Sequence, residues 1–103
     1  MGYSNLEPLF PLGEVLTSPG VKEFGIDIYR LLRRHQSGDW GEVLCSEDIE
    51  ANDLALANGE AILSQCLVAS PLGKSHIVTI MTEDNRLQTV AYVEGEPALL
   101  PAG

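Results

Sequence analysis

At Ala61 the spacing of apolar residues changes from a helical period of about 3.6 to a strand period of 2. That change divides the chain into two halves that must fold differently. After it, residues 61–69, 75–82 and 87–93 read as strands. Pro71-Leu72-Gly73 and Glu83-Asp84-Asn85-Arg86 join them, both turn compositions, so an antiparallel meander is the economical pairing. In the middle segment Ile77 and Met81 point to one side and Val78 and Ile80 to the other, so both faces are apolar, as in a central strand.

The preceding half is punctuated by helix caps. Residues 12–17 are expected as a short strand with Val15 as its central apolar residue. Ser18-Pro19 then supplies an N-cap and a proline at the first helical position, opening a short helix that stops at Gly25. Asp27 caps the next helix, from Ile28 to about Ser37, with Gly38 just past its end. On it Ile28, Leu31, Leu32 and His35 share one face, while Arg30, Arg33 and Arg34 lie opposite. Asp39 is expected to cap a short turn carrying Trp40, Val43 and Leu44, so that the chain reverses between His35 and Trp40. Ser46, followed by Glu47 and Asp48, starts a third helix that ends at Gly59. Its apolar residues split, with Ala51, Leu54 and Ala55 on one side and Ile49 and Leu56 on the other. Such a helix must be covered twice, by the N-terminal arm or by another chain.

Assembled, these segments give an α+β fold with N-terminal helices on one face of a C-terminal antiparallel three-stranded meander, and with 12–17 as a candidate fourth strand. A chain of 103 residues supports one hydrophobic core. It divides into an arm (1–11) packing through Leu6, Leu9 and Phe10, a mainly helical part (12–59), the meander (60–94) and a tail (95–103) that leaves the sheet. Trp40 is the expected anchor between the layers.

Charge narrows the function classes. The net charge is −9, and between His35 and Gly73 there is no Lys or Arg, while Asp39, Glu42, Glu47, Asp48, Glu50, Asp53 and Glu60 all fall there. That field opposes contact with nucleic-acid phosphates and suits either solubility or a basic partner. No apolar run approaches the roughly 20 residues that cross a bilayer. MGYSNLEPLFPLG lacks the basic and apolar regions of a secretory signal, and Leu6 stands where an acylation motif needs Ser or Thr. The expectation is a cytoplasmic protein with no membrane contact. Cys45 and Cys66, with no CxxC spacing, are expected as reduced, buried packing residues.

Four groups invite a chemical reading. Leu72-Gly73-Lys74-Ser75 looks like the end of a phosphate loop, but Val68 replaces the first glycine and a strand follows, so a hairpin turn is expected. His35 is a candidate base with Asp39 or with Cys45 as nucleophile, yet it sits in mid-apolar face, where a buried neutral ring is the commoner case. His76 is distant and no close ligand set accompanies it, so no metal site is expected. Arg30, Arg33 and Arg34 form a basic stripe that either pairs with Asp27 and the acidic segment or receives an anionic partner. Glu83, Asp84 and Arg86 crowd a hairpin tip. No catalytic or cofactor-binding residue is assigned.

Phe10-Pro11-Leu12-Gly13, Ser18-Pro19-Gly20, Leu31-Leu32-x-Arg34-His35-x-Ser37-Gly38-Asp39-Trp40-Gly41, Asn52 and Thr82-Glu83-x-x-Arg86-x-x-Thr89 together resemble a family of small plasmid-related proteins of mobile elements. Members of it are sometimes labelled as a methylation subunit of type I restriction enzymes. This chain has neither a glycine-rich cofactor loop nor an Asn-Pro-Pro-Tyr motif, so the methylation activity is not carried over. The family tends to carry aromatics where this chain has Cys66 and Val78, which removes the expectation of an aromatic patch on the sheet. The resemblance implies a mobile-element context and a host-interaction or antidefence role.

The leading expectation is a non-enzymatic protein-interaction module, a homodimer using the Ile49/Leu56 side of the third helix or an edge strand. The alternatives are an acidic decoy that occupies a nucleic-acid-processing partner, and a small enzyme or ligand site built on His35, Asp39 and Arg86.

Overall fold

The three segments after Ala61 form strands β2 (Ile62–Ala69), β3 (Ser75–Thr82) and β4 (Gln88–Val93), each antiparallel to the next. This is the expected meander. A computed structural model describes residues 8–69, 71 and 73–96. The expected arm as far as Glu7, with Leu6, and the tail from Pro97 lie outside the described residues.

The 12–17 stretch contributes strand β1 (Glu14–Thr17), which runs parallel to β4 and gives a mixed sheet of order β1-β4-β3-β2. The long connection permits the parallel sense, since helices α1 (Pro19–Glu23), α2 (Ile28–Gln36) and α3 (Ser46–Asn58) and two strands separate β1 from its partner. Period alone marks a strand but not its neighbour. Val15 lies within this edge strand, as expected, and is exposed. Gly13, at φ +66, brings the chain so close to the Leu87 carbonyl that a Cβ would collide with it.

The helix boundaries follow the caps. Ser18 precedes α1 with Pro19 at its first position, and Gly25 follows at φ +67. Asp27 accepts from the Arg30 N–H at 3.3 Å to cap α2, and α3 ends on Gly59 in the left-handed conformation. One cap is displaced: Cys45, not Ser46, is the N-cap of α3, and its thiol, exposed rather than buried, donates to Asp48 at 3.3 Å. Only Cys66 is a buried packing residue, where burial pushes its thiol pKa up.

The helices pack on one face of the sheet, the α+β arrangement. Leu31 and Leu32 of α2, with Val21 and Ile26, meet Cys66, Val78, Ile80, Ala91 and Val93. A second cluster joins Phe10 and Trp40 to Ala55 of α3 and Ile62 of β2, with Leu56 packed partly against it. Trp40 is 4% exposed and its indole N–H donates to Asp53 at 3.1 Å, so it ties α3 to the sheet's end as an anchor should. Of the arm, Phe10 is buried and Leu9 exposed.

After Asp39 the chain makes the expected short turn, with bends at Glu42, Val43 and Leu44 and the Gly41 N–H donating to the Asp39 carboxylate at 3.2 Å. The turn docks on β2, where the Gln65 N–H donates to the Trp40 carbonyl at 3.0 Å and the Val43 N–H to the Gln65 carbonyl at 3.2 Å. Gly41, at φ +92, allows that approach, since a Cβ would fall on the Gln65 carbonyl. One expectation fails here, the inward face of α3. Asn52 and Ala55 are buried and Leu56 half-buried, while Ala51 is exposed and Leu54 is 62% exposed. A buried asparagine turned the helix away from the face hydropathy favours.

Candidate functional site

His35 lies at the centre of the molecule, fully buried, and it is part of a polar chain rather than a cleft. The Leu12 carbonyl can only accept, so the Thr89 hydroxyl donates to it at 2.7 Å. Thr89 then accepts from the Thr82 hydroxyl at 2.7 Å, and Thr82 accepts from His35 Nε2–H at 2.9 Å. Nδ1 is left to accept from the Ser64 hydroxyl at 2.5 Å. One proton arrangement satisfies every member, the neutral Nε2–H tautomer. Burial, with the nearby Arg86 cation second, pushes the His35 pKa down to about 4. Phe10 meets the imidazole edge-on at 5.1 Å between ring centres, and Trp40 at 6.0 Å, closing the site to solvent.

His35, Asp39 and Arg86 therefore do not converge. Asp39 turns outward, where the Arg34 guanidinium donates to it at 2.8 Å and holds its carboxyl below the usual carboxylate range. Arg86, in the left-handed region at φ 60, donates to the carbonyls of Glu60 at 2.7 Å and Glu83 at 2.9 Å and lies over the Phe10 ring. Glu83 accepts from Gln88 at 3.2 Å, so the hairpin tip is knitted to itself and to the end of α3. Cys45 sits at the start of α3, bonded to Asp48, and has no contact with His35. Gly38, at φ +90, ends α2 and frees Asp39 to face Arg34.

The basic stripe is divided. Arg34 is half-buried and committed to Asp39 and Glu42, which keeps it protonated far above neutrality. Arg30 and Arg33 are exposed and form no ion pair among the described residues. Beside them an open groove of about 370 Å³ runs between α2 and the end of β2, lined by Asp27, Arg30, Leu31, Arg34, Glu42, Leu67, Val68 and Ala69.

The outer edge of β2 is guarded along its first half. The Asn52 amide both donates to the Leu63 carbonyl at 2.5 Å and accepts from the Leu63 N–H at 3.0 Å. Gln65 is met by Trp40 and Val43, and the Leu67 N–H donates to Glu42 at 3.0 Å, with that bond and Arg34 holding the Glu42 carboxyl down. An edge-strand interface is thus closed at these positions. Ile49 and Leu56 do not supply a shared outer face either: Ile49 is exposed, and Leu56 packs against the Trp40 cluster.

Among the described residues, no helix packs on the second face of the sheet. Leu16, Val90, Met81 and Leu63 form one row across all four strands; Tyr92, Thr79 and Gln65 form the next, and Ile77 pairs with Leu67 beyond it. Neither core cluster includes any of these residues. Met81 is 37% and Leu67 53% exposed and Leu16, Leu63, Gln65, Ile77 and Tyr92 are half-buried, while Val90 and Thr79 at the centre are buried; Glu14 at one corner is the charged strand residue on this face. The apolar alternation of Ile77 and Met81 was its sequence signal. Asn52, Glu42 and Glu96 gave none, because their partners are backbone groups distant in sequence. Glu96, expected in a departing tail, accepts from the Ser18 hydroxyl, from the Gly20 N–H at 2.7 Å and from the Val93 N–H at 2.9 Å, and these bonds hold its pKa below the usual value.

Compared with family models, curated proteins and solved structures, the chain has no significant match in any of the three. Among the described residues no helix is long and apolar enough to cross a membrane, and no cluster of three His, Cys, Asp or Glu is placed to hold a metal ion.

Proposed function

We propose that the protein is a non-enzymatic interaction module whose working surface is the open sheet face, packed against a second copy of the chain. The observation that carries this is the row Leu16, Val90, Met81 and Leu63, apolar across the full sheet and outside both core clusters, in which Met81 is exposed, Leu16 and Leu63 are half-buried and Val90 is buried between them. An uncharged centre in a chain of net charge −9 favours a partner equally neutral there, and the chain's own face is one. Four strands spaced by ~4.8 Å and about six residues long give roughly 400 Å² in projection. Counted on two copies with side-chain relief, that reaches the ~1,000 Å² at which specific interfaces begin. The likeness of the 31–41 block to plasmid-related proteins supports a mobile-element setting inside a host cell.

Sedimentation equilibrium at micromolar concentration tests it. The wild-type chain should weigh twice 11.1 kDa. Met81→Lys, at an exposed position, should weaken association by about tenfold or more, since a lysine ammonium would be buried unpaired. A wild-type monomer at hundreds of micromolar would refute the reading.

A second reading, an acidic decoy for a nucleic-acid-processing partner, is favoured by the exposed Glu47, Asp48, Glu50 and Asp53 of α3, a helix with no cation. Salt-sensitive binding to a basic nuclease, lost on neutralising these four, would support it; binding unchanged by their neutralisation would remove it.

A further inference from the structure

The guards along β2 stop at the Leu67 N–H. By the alternation that turns residues 63, 65 and 67 outward, the Leu67 carbonyl and the Ala69 N–H also point outward, and no described group pairs with either. Both face the 370 Å³ groove whose opposite wall is α2. A carbonyl followed two residues later by an N–H is what one residue of an added parallel strand needs: it donates to the first and accepts from the second.

The groove also has a charge preference. Of its two carboxylates, Asp27 caps α2, and Glu42 is held by Leu67 and Arg34. Arg34 is spent on Asp39 and Glu42, which leaves Arg30 as the lining cation without an ion partner among the described residues. Leu31 and Val68 supply apolar surface beneath it. An added strand alternates its side chains, so one would reach toward Arg30 and the next toward Leu67, 53% exposed on the opposite face of the sheet.

We propose that this groove takes a short extended segment of a partner protein, added as a strand beside residues 67–69, with an acidic side chain against Arg30 and an apolar one against Leu67. In a chain of net charge −9, Arg30 and its neighbour Arg33 are exposed cations with no ion partner among the described residues, so this wall of α2 is where an acidic segment docks. Leu67 lies at the border of the sheet's second face, four residues along β2 from Leu63, the partner of Met81, so a change at Met81 leaves the lining of this groove intact.

The probe is a fluorescein-labelled peptide, acetyl-Gly-Glu-Val-Glu-Val-Glu-Val-Gly, titrated with the full chain by fluorescence polarisation. Binding is expected in the micromolar to millimolar range and should fall as salt is raised. Arg30→Glu, at an exposed position, should weaken it by about fivefold, while Met81→Lys should leave it unchanged. In a ¹⁵N correlation spectrum the Ala69 amide should shift on addition of peptide, and the Leu63 amide, already held by Asn52, should not. The proposal is overturned by equal binding of the peptide with lysine in place of glutamate, by an unmoved Ala69 amide at saturation, by an Arg30→Glu affinity equal to wild type, or by no binding at millimolar peptide. Loss of peptide binding in Met81→Lys would also overturn it, by placing the peptide on the open face.

Discussion

Asn52 on α3 meets both backbone groups of Leu63 on β2, its amide nitrogen donating at 2.5 Å and its amide oxygen accepting at 3.0 Å. One side chain thus gives the edge what a neighbouring strand would give it. Because the pair is largely buried, removing it leaves an N–H and a carbonyl unmet. Asn52→Ala should cost about 2 to 3 kcal/mol in urea unfolding. Asn52→Asp should cost more, since a carboxylate cannot donate to the Leu63 carbonyl. An Asn52→Ala protein as stable as wild type would remove the edge-guard role.

The same residue explains where sequence reading stopped short. Pro19, the Asp27 cap and Gly59 are local signals and mark helix ends well, and period 2 locates all three meander strands. The Ser18 hydroxyl, by contrast, makes no cap bond and donates to Glu96, which itself takes the Gly20 N–H in the first turn of α1. Orientation is not local. Hydropathy turned Leu54 inward, but the bonds of Asn52 to Leu63, unreadable before β2 is placed, turn it out. The local half of Asp39's role is legible, since its carboxylate accepts from the Gly41 N–H and caps the turn, but its pairing with Arg34 and the docking of Trp40 on the Gln65 backbone are not local. His35 was legible as a buried neutral ring from its place on the apolar face. Its hydroxyl partners were not, because Ser64, Thr82 and Thr89 come from three different strands.

Acid should act on the fold through His35. Its pKa is about 4 in the folded chain against 6.5 for a free histidine, so between those values the unfolded chain binds more protons and stability falls as pH falls. From pH 7 to pH 5 the loss should be about 2 kcal/mol. Asp39, Glu42 and Glu96, whose pKa values are depressed, also lose their contributions on acidification, but only as pH drops through the carboxylate range. Urea unfolding at pH 7, 6 and 5 separates the two; a flat profile down to pH 5 would contradict the buried neutral ring. Arg86→Gln removes the second cause of the shift, so the His35 resonance should titrate at higher pH than in the wild type.

Gly41 and Gly59 have similar positive φ values, 92° and 72°, but different surroundings. A Cβ at Gly59 would meet nothing within 4 Å, so Gly59→Ala bears only the left-handed strain, about 1 kcal/mol. At Gly41 a Cβ would strike the Gln65 carbonyl and push the Trp40 segment from the edge it guards. Gly41→Ala should therefore lower the melting temperature far more, with loss of the Trp40 near-UV signal. Equal effects of the two would show that strain alone matters at both.

Leu54 and Leu56, two residues apart on α3, offer the sharpest contrast between hydropathy and packing. Leu54 is 62% exposed, and a change there to Asp should alter stability by less than about 0.5 kcal/mol. Leu56 packs against the cluster of Phe10, Trp40, Ala55 and Ile62, so Leu56→Asp places a carboxylate where apolar contacts were and should cost about 2 kcal/mol or more. Sequence alone put Leu54 with the inward set and Leu56 on an outer interface, the reverse assignment. Chemical unfolding of the two variants decides between them, and sedimentation of Leu54→Asp shows in addition whether α3 contributes to self-association. If Leu54→Asp, with stability intact, dissociates a dimer that Met81→Lys leaves whole, the contact between copies lies on α3 and not on the open sheet face.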